Sequence, residues 1–119
     1  MAIDKKQKSY RLGLFAELVA TIYLNCCFYR ILKHRYQPGT GEIDIIAKRG
    51  KQIIFLEVKA RKNKHEDIHY ALTTHQQNRI RRSAEIFMAR HRRYANNYSR
   101  FDLFLFGGLF KMKYIKDAF

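Results

Sequence analysis

Gly41-Glu42-Ile43-Asp44-Ile45-Ile46-Ala47, followed after a short turn by Ile53-Ile54-Phe55-Leu56-Glu57-Val58-Lys59, sets charged side chains inside two otherwise apolar, strand-like runs. Strand side chains alternate between faces, so Glu42 and Asp44 share one side of the first run, and Glu57 and Lys59 share one side of the second. Arg49-Gly50 makes a tight connection between them, which predicts that the second strand returns as a hairpin partner of the first. In neighbouring strands Asp44, Glu57 and Lys59 can converge on one patch. A charge inside an apolar run must be paired or bound to metal. Two carboxylates and an amine at a sheet edge are what metal-assisted phosphodiester hydrolysis needs. The carboxylates hold Mg²⁺, and the lysine orients water or stabilises developing negative charge. A structural ion pair on a half-exposed sheet face is the plainer account of each residue taken alone. The spacing of the three together favours an active site.

Outward from this pair of strands, the pattern from about Tyr10 to Leu24 suits a helix, with Leu12, Ala16, Val19 and Tyr23 on one face and Glu17 beside it. Phe28 to Tyr36 reads as a first strand, closed by the turn signal Gln37-Pro38-Gly39-Thr40-Gly41. Arg61 to Thr74 is polar and irregular, a loop close to the proposed patch. A second helix is expected around His75 to Arg93, with Ile80, Ala84, Phe87 and His91 inward. Phe101 to Phe106 reads as a buried strand, and Gly107-Gly108 as a hairpin signal. In the last strand Phe110, Met112 and Tyr114 alternate with Lys111 and Lys113, which predicts one buried and one wet face. The order helix, three strands, helix, two strands predicts an α/β fold: a mixed β-sheet flanked by helices.

The chain has 119 residues, enough for one domain with a single modest core, spanning 1–119. Lys plus Arg number 24 against 10 Asp plus Glu, a formal charge of +14. That excess favours a polyanionic partner through release of counterions from phosphates, so nucleic acid is expected. No long basic amphipathic helix argues for a membrane surface, and no run approaches the ~18 apolar residues of a membrane span. Met1 to Lys8 is polar, without the apolar run of a signal peptide. Cys26 and Cys27 are adjacent, a spacing poorly suited to a disulfide, and reduced cysteines fit a cytoplasmic chain.

Gly13 and Glu17 in the first helix, Gly41 to Ala47, and Phe55 to Lys59 with Arg61 form an ordered set of motifs that resembles the YraN-like family of the PD-(D/E)XK nuclease superfamily. Arg100-Phe101-Asp102 and Ile115-Lys116-Asp117-Ala118-Phe119 match that family's later strand start and closing segment, so the resemblance spans nearly the whole chain. It implies a restriction-endonuclease-like core, with Mg²⁺ or Mn²⁺ at Asp44 and Glu57, an active-site Lys59, and Glu17 completing the metal shell. Holliday-junction resolvases are the nearest relatives by motif, which makes branched DNA the implied substrate. A junction-cutting enzyme would need two active sites and therefore a homodimer. Two departures stand out: Ile43 replaces the proline of the superfamily's name, as in the YraN-like group, and Ala16 stands where the family more often has glycine.

The second helix carries Arg79, Arg81, Arg82, Arg90, Arg92 and Arg93 with Glu85 as the acidic neighbour. Arg61, Arg79, Arg82, Arg90 and Arg93 are the expected contacts to the nucleic-acid backbone, non-sequence-specific in kind. Gln76 or Gln77 could hydrogen-bond a phosphate or the attacking water, although helix-start solvation explains them as well. Tyr70, Tyr94 and Tyr98 could stack on unpaired bases or pack on a sheet edge. His65-Glu66-Asp67-Ile68-His69 is a literal H-E-x-x-H, with His75 at the spacing of a third zinc ligand. Leu72 replaces the turn glycine and Lys62-Asn63-Lys64 is loop-like, so a solvated histidine-rich loop is the preferred reading over a zinc protease. The expected function is hydrolysis of DNA phosphodiesters by a metal-dependent endonuclease. Its rival is a non-catalytic nucleic-acid-binding module on the same fold.

Overall fold

The hairpin signal around Gly50 organises the sheet. In the computed structural model, which describes residues 5–60, 72–108 and 111–119, β2 (Ile43–Arg49) and β3 (Gln52–Ala60) pair antiparallel with Ile45 opposite Leu56. β1 (Arg30–Tyr36) adds antiparallel to the outer edge of β2. β4 (Tyr98–Phe106) lies parallel to β3, and β5 (Met112–Ile115) returns antiparallel to β4. The order β1-β2-β3-β4-β5 makes one five-stranded mixed sheet. The parallel β3–β4 pair requires a crossover, and the chain supplies it through α2 (Thr74–Arg90) and a 3₁₀ turn at Arg92–Tyr94.

Alternation along the central strands divides the core into two layers. Ile53 and Phe55 of β3 join Ile46 and Leu103 beneath Ile80, Ala84 and Phe87 of α2. Ile54 and Leu56 point the other way, with Ile45, Ala47, Phe104 and Phe106, and pack under Ala16, Ala20 and Leu24 of α1 (Lys5–Cys26). β3 is therefore apolar on both faces through Leu56, as a central strand covered by helices on each side must be. The result is the expected α/β architecture, a restriction-endonuclease-like mixed β-sheet flanked by helices.

Four element readings need correction. The buried row of α1 is Ala16, Ala20 and Leu24, whereas Tyr23 is 39% exposed and stacks on Tyr114 at the rim. Small side chains let the helix approach the sheet closely, which an apolarity pattern does not reveal. Phe28 is not a strand residue: it adopts φ 67° and is 86% exposed, directly after α1. In β5, Met112 is 45% exposed, because a strand paired on one side at the sheet edge is only partly roofed. α2 ends at Arg90, where half-buried His91 sends its ring nitrogen to the Phe87 carbonyl at 2.8 Å.

Candidate active site

Continuing the β2–β3 register one step past Ile45 and Leu56 sets Asp44 opposite Glu57. There the Val58 N–H donates to the Asp44 carboxylate (Oδ2) at 2.7 Å. This bond fixes Asp44 against β3, and the Asp44 and Glu57 carboxyls lie near enough to act on each other's charge. Lys59 Nζ lies 3.7 Å from Glu57 Oε1. The three residues singled out by alternation therefore meet.

Their electrostatics follow from burial. Removal from water pushes the Glu57 carboxyl up to about 8; the neighbouring Asp44 charge adds to this, and Lys59 opposes it. Burial likewise raises Asp44 to about 6, with the Val58 N–H pulling down and the charges of Glu17 and Glu42 pushing up. Burial and mutual repulsion together favour a protonated form of the pair over two full charges. Two neighbouring buried carboxyls ionise together only at a cost that nearby positive charge offsets.

Glu57 and Lys59 project from β3 toward α2, where they line a cleft of about 140 Å³ with Gly41, Glu42, Gln76 and Arg79. The far wall is built by capping. Thr73 caps α2: its side chain accepts from the Gln76 N–H, and Gln76 Oε1 accepts from the Thr73 N–H. The Gln76 carboxamide oxygen is thereby engaged, and its NH₂ end is what it can offer a phosphate. Arg79 Nε donates to the Thr40 carbonyl at 3.0 Å, and buried Ser83 donates to the Gly41 carbonyl at 3.0 Å. Thr40 and Ser83 hydroxyls meet at 2.7 Å. These bonds clamp the Thr40–Gly41 turn onto α2. Gly41 has φ +151°, and a Cβ there would come 3.2 Å from the Arg79 Cβ, so both backbone shape and close approach call for glycine.

Other expected site residues are placed differently. Glu17 sits on α1, its carboxylate 3.3 Å from Arg35 Nε; it influences Asp44 through its charge but is held by the arginine. Among the described residues, no three His, Cys, Asp or Glu side chains converge closely enough to grip one ion. Asp44 and Glu57 are the two donors in contact, and both offer hard oxygen, which fits Mg²⁺ or Mn²⁺ better than a soft metal. Arg82 is exposed one turn beyond Arg79, and exposed Arg90 lies ~16 Å from Arg79 along the helix at 1.5 Å per residue. The Arg93 guanidinium lies over the Tyr94 ring, and Arg81 packs over Phe101 and Phe119 on another side of α2. Tyr94 is buried against Phe87, which removes it as a base-stacking surface, whereas Tyr98 is exposed. Arg61, the His65–His69 motif and Tyr70 lie outside the described residues, and His75 is exposed in the first turn of α2.

Sequence reasoning missed Thr40, Thr73 and Ser83, which shape the cleft without lining its chemistry. The Thr73…Gln76 capping spacing was the available signal for one of them. It also gave Asp102 no physical role. That carboxylate is fully buried on the α1 side of the sheet. It accepts two bonds from Arg100 at 2.8 Å, one from the Tyr114 hydroxyl at 2.5 Å and one from the Asp117 N–H at 3.0 Å.

A mixed sheet between helices, with an Asp–Glu–Lys cluster on adjacent strands, defines a PD-(D/E)XK nuclease-like protein. The family model described as Uncharacterised protein family UPF0102 matches residues 16–106. A UPF0102 protein of Ehrlichia ruminantium (strain Gardel) is 42% identical over 117 residues, covering 97% of this chain and 89% of the relative. One from Rhodopseudomonas palustris (strain ATCC BAA-98 / CGA009) is 40% identical over 111 residues, covering 93% and 85%. A third, from Bradyrhizobium diazoefficiens, is 39% identical over 119 residues, covering 100% and 89%. The chain belongs to the UPF0102 family. Among the described residues no helix is long and apolar enough to cross a membrane.

Proposed function

We propose that this protein is a metal-dependent endonuclease that hydrolyses DNA phosphodiester bonds. The observation that carries the reading is the adjacent Asp44–Glu57 carboxyl pair, with Lys59 beside it and Glu57 and Lys59 lining a cleft edged by Arg79 and Gln76. A buried acidic pair strains the fold unless it serves a charge that it receives from outside. Mg²⁺ or Mn²⁺ held by Asp44 and Glu57, with the Val58 carbonyl as a further donor from the same strand, would supply Lewis-acid polarisation of the phosphate.

The chain's own groups account for the rest. Lys59 orients the attacking water and donates to the oxygen on which negative charge develops. The Gln76 NH₂ and the Arg79 guanidinium present donors toward a phosphate in the cleft, and they hold the backbone without reading bases. Exposed Arg82 and Arg90 extend positive charge along α2, and the formal +14 of the chain favours encounter with a polyanion. Glu17 supports the site through its field on Asp44. The acidic pair tunes the reaction, and the basic helix holds the substrate.

The test is cleavage of labelled four-way junction, flap, single-stranded and linear duplex DNA with Mg²⁺ or Mn²⁺, comparing wild type with Lys59→Ala. Metal-dependent cutting that drops at least ~10²-fold in the variant, with DNA affinity retained, is the expected result. The preferred substrate in that panel decides whether branched DNA is the target. DNA binding by wild type without cleavage under either metal would assign the protein to the non-catalytic binding class.

A further inference from the structure

The outer face of α1 is apolar where it should be wet. Tyr10, Leu14, Leu18 and Ile22 repeat every four residues and form one exposed ridge, 62%, 40%, 54% and 54% exposed, with Tyr10 at its end beside Arg35 of β1; Phe15 lies next to it at 44%. Residues Ala16, Ala20 and Leu24 already make the helix's contact with the sheet. The ridge is thus a second apolar face on a helix whose core-facing stripe is satisfied. Phe28, just past the helix, adds an aromatic side chain 86% exposed.

The same helix is charged against its own dipole. Its first turn carries Lys5, Lys6 and Lys8 with no acidic residue, and its last turn carries no basic residue. Basic groups at a helix N-terminus are unfavourable within one helix, whereas the C-terminal carbonyls of α1 are already met by the Phe28 and Tyr29 N–H groups, and that of Cys27 by Arg49. An antiparallel second copy sets the negative end of its own α1 dipole beside these lysines. With a two-fold axis between Leu14 and Leu18, Tyr10 meets the partner's Ile22 and Leu14 the partner's Leu18. Lys6 and Lys8 then lie beside the partner's C-terminal turn.

We infer that the Tyr10–Leu14–Leu18–Ile22 ridge of α1 is a two-fold, antiparallel self-association surface of this chain. At about 200 Å² per large side chain, the five exposed ridge residues leave on the order of 500 Å² of apolar surface on each copy. Two copies then bury about 1,000 Å² before any polar rim, the size at which a specific interface becomes credible. α1 covers the face of the sheet opposite α2, so the pairing leaves both Asp44–Glu57–Lys59 clefts open on the outside of the dimer. The inference does not depend on nuclease activity.

Sedimentation equilibrium of the full chain, from low to high micromolar concentration, tests it against Leu18→Glu, Leu14→Glu and the charge variant Lys6→Glu/Lys8→Glu. All four positions are exposed, and circular dichroism verifies that each variant stays folded. The expected result is a wild-type dimer, a dissociation constant raised at least about a hundredfold by either leucine substitution, and a smaller, salt-sensitive loosening in the lysine variant. A wild type that stays monomeric, or a dimer indifferent to Leu14→Glu and Leu18→Glu, would overturn it. So would a monomer that co-sediments with phosphatidylglycerol vesicles and releases them on Leu18→Glu, since that outcome assigns the ridge to a lipid surface.

Discussion

Glu57 shows how a single side chain records the tension between folding and function. Its carboxyl is raised from 4.5 to about 8 by burial first and by Asp44 second. A carboxyl whose folded value lies above its unfolded one binds its proton more tightly in the native state. The stability this contributes is fully present below pH ~4.5 and is lost as pH rises through about 8. In chelator, the urea midpoint is therefore expected to fall between those limits, and Glu57→Gln to flatten that slope. A midpoint independent of pH across the window would contradict the raised Glu57 carboxyl. Asp102 is the opposite case, a buried carboxylate whose partners all come from the chain. Asp102→Ala would strand Arg100 without its partner and is expected to cost about 3–5 kcal/mol in urea unfolding. A loss under 1 kcal/mol would mean that Arg100 finds water instead.

The end of α1 is where an element departs from its usual chemistry. The Tyr29 N–H reaches the Leu24 carbonyl at 2.9 Å and the Phe28 N–H reaches Asn25 at 3.1 Å, the paired bonds of a Schellman stop. Buried Tyr29 and Leu24 share the same core cluster, which supplies the stop's apolar contact. The left-handed position that normally belongs to glycine is held by Phe28 at φ 67°. An L side chain there is strained by ~1–2 kcal/mol, and an 86% exposed ring recovers little of it within one molecule. Phe28→Gly is expected to stabilise the chain by roughly 1 kcal/mol, since part of the gain is offset by greater unfolded-state entropy. Urea unfolding in the Leu18→Glu background, where the ridge cannot associate, isolates that gain; a destabilised variant would show that the ring has intramolecular support.

For the whole molecule the governing quantity is charge. With a formal +14 and exposed arginines along α2, DNA binding is expected to weaken steeply with salt, log affinity falling by about 0.9 per phosphate neutralised for each unit of log salt. Replacing Arg79 and Arg82 by alanine together should make that slope shallower by roughly two. An unchanged slope would move the contact surface away from α2. The basic excess was plain in composition, but its arrangement was not. Arg81 turns to Phe101 and Phe119, and Arg93 to Tyr94, although their neighbours in sequence are Arg82 and Arg92.

The sequence by itself determined the order of elements, the β2–β3 hairpin, and the meeting of Asp44, Glu57 and Lys59, because a two-residue period and a tight turn are local facts. It also carried the family, through motifs set along nearly the whole chain. Tertiary structure alone decided which row of α1 is buried, since Ala16 and Ala20 win by size where the apolarity of Tyr23 suggested otherwise. It alone brought Thr40 and Gly41 against Ser83 and Arg79, residues about forty apart, to close the cleft. It alone set Glu17 beside Arg35 rather than between the two carboxyls. These depend on how helices seat on a twisted sheet, and the fit of one surface against another is written in no local period of the chain.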